Sequence, residues 1–135
     1  MFAPSILITD DDFDFRETLR GVFEPRGFRA ILAGDGEEAI RVVLTQEVHL
    51  VLMDMHMPKL TGLDAIRKVK RFRAELPCIL LSAALDESIV REAERVHAFS
   101  VLPKPVTRQQ ITNVVDDALR RVYNWRNERS GLKDE

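Results

Sequence analysis

The chain has 135 residues, of which 45% are apolar and 31% are charged. This length suits one domain with a sizeable core, and this composition is typical of a folded globular protein rather than a disordered one. The 20 basic and 22 acidic side chains leave a formal charge of −2, which argues against a general polyanion-binding protein. Cys78 is the single cysteine, so an internal disulfide and a thiolate metal cluster are both excluded, and its apolar neighbours predict a buried, inert thiol.

The N-terminal residues do not resemble a secretory targeting signal. The first five residues lack the basic segment that begins a secretory signal, and no apolar run approaches the ~18 residues of a membrane span. We therefore expect a cytoplasmic protein with no membrane contact. Residues 1–126 are predicted to form the domain, and residues 127–135 a C-terminal tail or the start of a linker.

Five short apolar runs alternate with longer segments of helical periodicity. The runs are nearly continuous, which is typical of parallel strands covered on both faces. They comprise residues 6–8, 30–33, 50–53, 78–81 and 101–102. Strand followed by helix, five times over, predicts an α/β domain of the (βα)5 type. Right-handed crossovers favour a flavodoxin-like, doubly wound five-stranded parallel sheet of order 2-1-3-4-5.

The last helical segment has the longest apolar stripe, which begins at Ile111. We expect this helix to continue through Arg126. Tyr123 and Trp125 would then lie beyond the core, where they could be buried by a second copy of the chain or by a following domain.

Polar side chains follow four of the predicted strands. Asp10 and Asp11 follow the first strand, Asp54 ends the third, Ser82 ends the fourth, and Lys104 follows the fifth. Ligands of doubly wound sheets bind at this edge, at the switch point between strands 1 and 3. Three carboxylates packed together repel one another unless positive charge lies among them. Lys104 is one source of that charge and a divalent cation is another, and carboxylate and carbonyl oxygens suit Mg²⁺.

Four segments resemble the signature segments of the response-regulator receiver family. They are residues 6–12 (ILITDDD), 50–62 (LVLMDMHMPKLTG), 80–83 (LLSA) and 102–105 (LPKP). Any single segment would be weak evidence, but the four occur in the family's order and spacing, each at a predicted strand end. The resemblance covers about residues 5–125.

The resemblance implies a role for each matching position. Asp54 corresponds to the phosphoacceptor, which takes a phosphoryl group from a histidine kinase or a histidine phosphotransfer protein. Asp10 and Asp11 correspond to the acidic pair that holds Mg²⁺, with Asp54 and the backbone carbonyl of His56 as further ligands. Phosphoryl transfer depends mainly on alignment and on neutralising the phosphoryl oxygens, which this set of residues supports.

Three further positions match the family. Ser82 corresponds to the hydroxyl that hydrogen-bonds the phosphoryl group, and Lys104 to the ammonium that pairs with it. Pro105 corresponds to a cis-proline that orients the lysine. The implied protein is a signalling module rather than an enzyme. It would change its affinity for a partner, or its oligomeric state, through a homodimer or a downstream effector domain, and would not bind nucleic acid by itself.

Some of these residues have structural alternatives. Asp12 or Asp14 could cap the next helix, since Asp14 and Glu17 have capping-box spacing. The side chain of His56 could flank the phosphoryl pocket. A run of basic residues is expected to be a solvated helix face rather than a nucleic-acid patch; it comprises Arg67, Lys68, Lys70, Arg71 and Arg73.

One position departs from the family pattern. Val101, three residues before Lys104, stands where many receivers have an aromatic residue that rotates upon phosphorylation. Valine has one stiff side-chain torsion and cannot swing in this way. Phe99, expected on the same side of the strand, could substitute, although packing in the core is the role that we expect for it.

The sequence leaves two other functions to consider. The chain could be a degenerate, unphosphorylated receiver that acts as a scaffold. An Asp-nucleophile phosphohydrolase of the haloacid-dehalogenase type would need a second aspartate two positions after Asp54, where this chain has His56.

Overall fold

Five strands and five main helices alternate along residues 3–126, the part of the chain that the computed structural model describes. The strands are β1 (Ser5–Thr9), β2 (Arg29–Ala33), β3 (Leu50–Asp54), β4 (Cys78–Ser82) and β5 (Ser100–Pro103). The helices are α1 (Phe13–Phe23), α2 (Gly36–Thr45), α3 (Gly62–Phe72), α4 (Glu87–Arg95) and α5 (Arg108–Tyr123). A short 3₁₀ turn, Glu24–Arg26, follows α1. The tail predicted for residues 127–135 lies outside the described residues.

All five strands pair in parallel in the order β2-β1-β3-β4-β5, which confirms the predicted doubly wound sheet. The order reverses between β1 and β3, so their carboxyl ends lie side by side. In the register between them, Thr9 pairs with Met53. The residues that follow, Asp10 and Asp54, therefore meet at the same edge of the sheet.

Two apolar cores cover the faces of the sheet, because successive strand residues point to opposite sides. Leu7, Val51 and Leu80 face one core, which includes apolar residues of α2, α3 and α4. Ile6 and Leu52 face the other core, which includes those of α1 and α5. Every residue of β1, β3 and β4 is buried, as the continuous apolar runs predict.

The thiol of Cys78 lies inside the first of these cores. It is fully buried, and burial raises the pKa of the Cys78 thiol to about 12. The predicted burial of this thiol is confirmed. Within residues 3–126, no helix has both the length and the apolar character needed to cross a membrane.

Asp12 is the N-cap of α1. Its carboxylate accepts hydrogen bonds from the backbone amides of Asp14 at 2.9 Å and Phe15 at 3.2 Å. These amides have no partner inside the helix, so the cap stabilises the first turn. Asp14 lies within that turn instead of preceding it, so the alternative in which Asp14 is the cap is wrong.

The end of α5 differs from the prediction. The helix stops at Tyr123 because Asn124 adopts a left-handed conformation with φ of 56°, and the backbone amide of Trp125 turns back to the carbonyl of Leu119. Such a left-handed residue is a common helix terminator. The chain therefore does not continue as a helix through Arg126.

Both aromatic residues at this end pack on the domain itself. The Tyr123 hydroxyl donates a hydrogen bond to the His49 carbonyl at 2.8 Å, and the two rings lie edge to face. Trp125 packs edge to face on Phe28, with ring centroids 5.4 Å apart. The expected exposure of Tyr123 and Trp125 beyond the core was wrong, because the turn at Asn124 folds them back.

Phe99 also differs from the prediction. Val101 packs against the core on the α2, α3 and α4 side, whereas Phe99 packs against the core on the α1 and α5 side. Phe99 precedes the first residue of β5, so strand alternation does not fix its direction. It cannot take the place of an aromatic residue at Val101.

Gly62 fixes the start of α3 against the end of β3. Its amide donates to the Met55 carbonyl at 2.9 Å. A Cβ atom at Gly62 would lie 2.3 Å from the carbonyl oxygen of Asp54 and 2.9 Å from a methyl group of Leu80. Only glycine allows this approach, so Gly62 determines how closely the loop after Asp54 returns to the sheet.

We expect Gly62→Ala to lower the free energy of unfolding by about 1–3 kcal/mol, because the added methyl group collides with buried backbone. Gly21→Ala is the matched control, since a Cβ atom there meets nothing within 4 Å in the last turn of α1. It should raise the free energy of unfolding by about 0.5–1 kcal/mol through helix propensity. Urea denaturation of both variants measures the difference. Equal effects of the two substitutions would contradict the close approach at Gly62.

Candidate functional site

Three carboxylates meet at the carboxyl edge of the sheet between β1 and β3. One oxygen atom from each of Asp10, Asp11 and Asp54 lies within 4.8 Å of the others. Asp10 and Asp54 are 2% and 4% exposed, whereas Asp11 is exposed. The grouping predicted from the strand ends is therefore present, with two carboxylates inside the pocket and one at its mouth.

Lys104, which follows β5, reaches across the sheet edge into this cluster. Its ammonium lies 2.7 Å from Oδ2 of Asp10 and 2.9 Å from Oδ1 of Asp54. The same ammonium lies 4.3 Å from the centroid of the Phe15 ring, which favours a cation over its face. The peptide bond between Lys104 and Pro105 is cis, as the sequence resemblance implied. One ammonium thus connects the ends of three strands.

The pocket raises the pKa of both partners of this contact. Burial raises the pKa of Asp54 above its usual range; the hydrogen bond from Lys104 opposes this, and the carboxylates of Asp10 and Asp11 add to it. Burial alone lowers the pKa of Lys104, but hydrogen bonds to Asp10 and Asp54 outweigh it, so that pKa lies above its usual range. The site therefore favours a charged lysine and disfavours a third negative charge.

Asp10 is held from several sides. Its Oδ1 accepts the backbone amide of Asp12 at 2.9 Å, while its Oδ2 accepts Lys104. Its carbonyl oxygen accepts Nη1 of Arg16 at 2.6 Å, and the guanidinium of Arg16 also lies 5.6 Å from the ring centroid of Phe13. These contacts fix the backbone from which both Asp10 and Asp11 project.

Sequence reasoning missed Arg16 and Phe15 as parts of the site. Phe15 has the spacing of an apolar core residue of α1, and its ring packs against the core while one face lies against the Lys104 ammonium. Arg16 lies one residue further along the helix and shows no periodicity that points to the pocket. Its position six residues after Asp10, on the first turns of the adjoining helix, is the one signal that could have suggested the contact.

Ser82 and His56 form a second pair beside the carboxylates. Ser82 ends β4 and is fully buried, and its hydroxyl accepts the backbone amide of Ala84 at 3.2 Å. Nε2 of the exposed His56 lies 3.4 Å from that hydroxyl. The imidazole therefore flanks the pocket. Ser82 lies one strand away from Asp54. Its hydroxyl contacts His56 and Ala84, while its backbone carbonyl accepts the backbone amide of Lys104 at 2.8 Å.

The chain was compared with known proteins. The sequence model of the response regulator receiver domain matches residues 6–116. The chain is 32% identical over 114 residues to a probable chemotaxis protein CheY of Rhizobium etli, covering 82% of this chain and 88% of that protein. It is 29% identical over 127 residues to the transcriptional regulatory protein RprY of Bacteroides fragilis, covering 94% of this chain. The chain spans only 54% of RprY and as little as 25% of another curated relative.

A solved structure gives the same result for the fold. A chain of the CheX–CheY–BeF3–Mg²⁺ complex of Borrelia burgdorferi matches with a TM-score of 0.82 and 27% identity, covering 86% of this chain and 89% of that one. The match to the family covers the three carboxylates and Lys104 as well as all five strands. The chain belongs to the response regulator receiver family, as a receiver domain of the kind that two-component systems use.

Proposed function

We propose that Asp54 accepts a phosphoryl group from a histidine kinase or a histidine phosphotransfer protein, in a reaction that uses Mg²⁺ bound at Asp10 and Asp11. The observation that carries this proposal is the Lys104 ammonium shared between Asp10 and Asp54 inside a cluster of three carboxylates. One ammonium balances only one of those negative charges. The surplus negative charge attracts a divalent cation, which together with Lys104 would offset the negative charge of an incoming phosphoryl group.

The donor set fits Mg²⁺ by its chemistry. Asp10, Asp11 and Asp54 offer hard oxygen atoms, and the exposed position of Asp11 leaves room for the water molecules that Mg²⁺ retains. We also assign the backbone carbonyl of His56 as a ligand. Within residues 3–126 no backbone amide donates to this carbonyl, whereas the Met55 carbonyl is engaged by Gly62. Bound Mg²⁺ would neutralise charge on the phosphoryl oxygens during transfer.

The residues of the chain have separate tasks in this proposal. Oδ1 of Asp54 is engaged by Lys104, so we assign Oδ2 as the nucleophile. A bond forms between this oxygen and phosphorus while the bond between phosphorus and the donor histidine nitrogen breaks. Lys104 then pairs with a phosphoryl oxygen, and the Ser82 hydroxyl donates to another. Little proton transfer is required, because alignment and charge neutralisation dominate such reactions.

We further propose that phosphorylation changes the affinity of this domain for a partner, or its oligomeric state. Receiver domains are generally signalling modules. We infer that this one acts in the cytoplasm, as part of a phosphorelay. Because Val101 replaces a swinging aromatic residue, movement of Ser82 toward the phosphoryl group would be transmitted through the backbone after β4. The output partner would be a second copy or an effector domain, and not nucleic acid bound by this domain alone.

Incubation with acetyl phosphate and Mg²⁺ tests the central proposal. Wild-type protein should gain one phosphoryl group by intact-mass analysis, and Asp54→Ala should gain none, since it lacks the accepting oxygen. Asp12→Asn serves as the control, because Asp12 is exposed and asparagine also caps helices. No adduct on the wild type, or an equal adduct on Asp54→Ala, would show that Asp54 is not the acceptor.

Substitution of Asp11 should separate metal binding from folding. Asp11→Asn removes one ligand charge at the exposed mouth of the site and should weaken Mg²⁺ binding by at least about tenfold. Asp12→Asn, one residue further on, should leave it unchanged. Titration calorimetry measures the Mg²⁺ dissociation constant of each variant. The rise of Tm with Mg²⁺ concentration is an independent measure of the same binding. Matching constants for the two variants would exclude Asp11 as a ligand.

The raised pKa of Asp54 predicts a pH dependence of stability. Between the usual aspartate pKa and the raised one, the folded protein binds more protons than the unfolded chain, so its stability falls as pH rises through this window. Asp54→Asn removes this effect. Without Mg²⁺, its free energy of unfolding relative to wild type should increase from acidic to neutral pH, and Mg²⁺ should reduce the difference. Urea denaturation at each pH measures this difference, and a constant difference for Asp54→Asn would contradict the raised pKa.

A further inference from the structure

A groove between α2 and α3 combines unpaired cations with an exposed aromatic ring. Arg41 of α2 and Lys68 and Arg71 of α3 line it, and all three are exposed. Within residues 3–126 none of the three has a carboxylate at ion-pair distance. By contrast, Arg67 pairs with Asp64 at 2.6 Å and with Glu92 at 3.2 Å. The domain thus leaves these three charges uncompensated although its overall charge is −2.

Apolar side chains lie among these cations. Phe72, the last residue of α3, lines the groove and is 57% exposed, and Ile40 lines it from α2. Leu44, one helical turn beyond Ile40 on α2, is 54% exposed. Large apolar side chains that are exposed together and bordered by charge are typical of surfaces that bind another protein.

Stabilisation of the helices does not account for the charges. Basic residues near a helix C-terminus interact favourably with the helix dipole, which explains Arg71 in the last turn of α3. Lys68 lies before that turn, and α2 has no basic residue in its last turn, so Arg41 gains nothing from this effect. Neither does a dipole explain the exposure of Phe72.

The groove extends away from the phosphoacceptor pocket. Gly62 at the start of α3 contacts the end of β3 at Asp54, and the helix then runs back along the sheet for 11 residues. At 1.5 Å per residue this distance is about 16 Å, so Phe72 lies at the opposite edge. A ligand at Phe72 leaves the mouth of the carboxylate site open.

We propose that this groove, formed by α2 and α3, binds an acidic amphipathic segment of a partner protein. Carboxylates of that segment pair with Arg41, Lys68 and Arg71, and the two guanidinium groups can each bind a carboxylate through two parallel hydrogen bonds. An apolar side chain of the segment packs on Phe72 and Ile40. Glu37 also lines the groove, so the carboxylates of the segment lie opposite the three cations and away from Glu37. The proposal rests on this surface and not on phosphorylation of Asp54.

The test uses a fluorescein-labelled synthetic peptide in which Glu alternates with Leu and Phe, and measures anisotropy against the unphosphorylated domain. A peptide with Gln in place of every Glu shows how much of the binding depends on the negative charge of the peptide. Labelled double-stranded DNA and vesicles of anionic phospholipid are the competing ligands. The variants are Arg41→Glu/Arg71→Glu and Phe72→Ser. Arg91→Glu/Arg108→Glu is the matched control, because it makes the same change of charge at exposed positions of α4 and α5.

We expect saturable binding of the acidic peptide that weakens at least about tenfold in Arg41→Glu/Arg71→Glu, since each lost pair is replaced by a repulsion. Binding should weaken less in Phe72→Ser and should be retained in Arg91→Glu/Arg108→Glu. Amide chemical shifts should change at residues 37–44 and 68–72. No binding at millimolar peptide, equal loss in the matched control, or tighter binding to DNA or vesicles would overturn the proposal. Circular dichroism of each variant establishes that it is folded.

Discussion

The two hydrogen bonds donated by the Lys104 ammonium hold together strand ends that electrostatic repulsion would otherwise separate. Asp10 follows β1 and Asp54 ends β3, and the parallel register leaves these two carboxylates side by side at a buried edge. A buried charge without a partner is costly, and two such charges close together are more so. The ammonium reduces that cost while leaving the cluster short of positive charge. The architecture and the electrostatic deficit of the site therefore have one origin, which is the order of strands in the sheet.

Much of this could be predicted from the sequence, because parallel sheets impose simple rules. Continuous apolar runs identified the strands, and residues at the carboxyl ends of parallel strands must share an edge. Asp10, Asp54 and Lys104 were placed together on that basis before any distance was known. Gly62 is the last residue of one matching segment, but the reason for a glycine there, a backbone approach that a methyl group would block, is visible only in the structure.

The predictions that failed depended on single backbone conformations and on long side chains. Nothing in the helical periodicity of α5 indicates that Asn124 adopts a left-handed conformation, although asparagine tolerates it better than most residues. Phe99 was placed by strand alternation, which applies only inside a strand, and it lies just before one. Arg16 reaches the Asp10 carbonyl through a flexible side chain whose direction no sequence pattern specifies. The local pattern of apolar and polar residues determines the helices and strands, whereas the conformations of Asn124, Phe99 and Arg16 depend on tertiary contacts.

The turn after α5 has a consequence for spectroscopy. Trp125 is the single tryptophan of the chain, and it is held against Phe28, which directly precedes β2 and therefore lies at the edge of the sheet remote from Asp54. Phe28 in turn packs edge to face on the fully buried Phe23. The intrinsic emission of the tryptophan thus originates at one end of the domain and reports whether the turn after α5 stays packed on Phe28. Because Trp125 lies at the edge of the sheet remote from Asp54, it does not contact the phosphorylation site. Quenching or a red shift of its emission on phosphorylation would therefore report movement transmitted across the whole sheet.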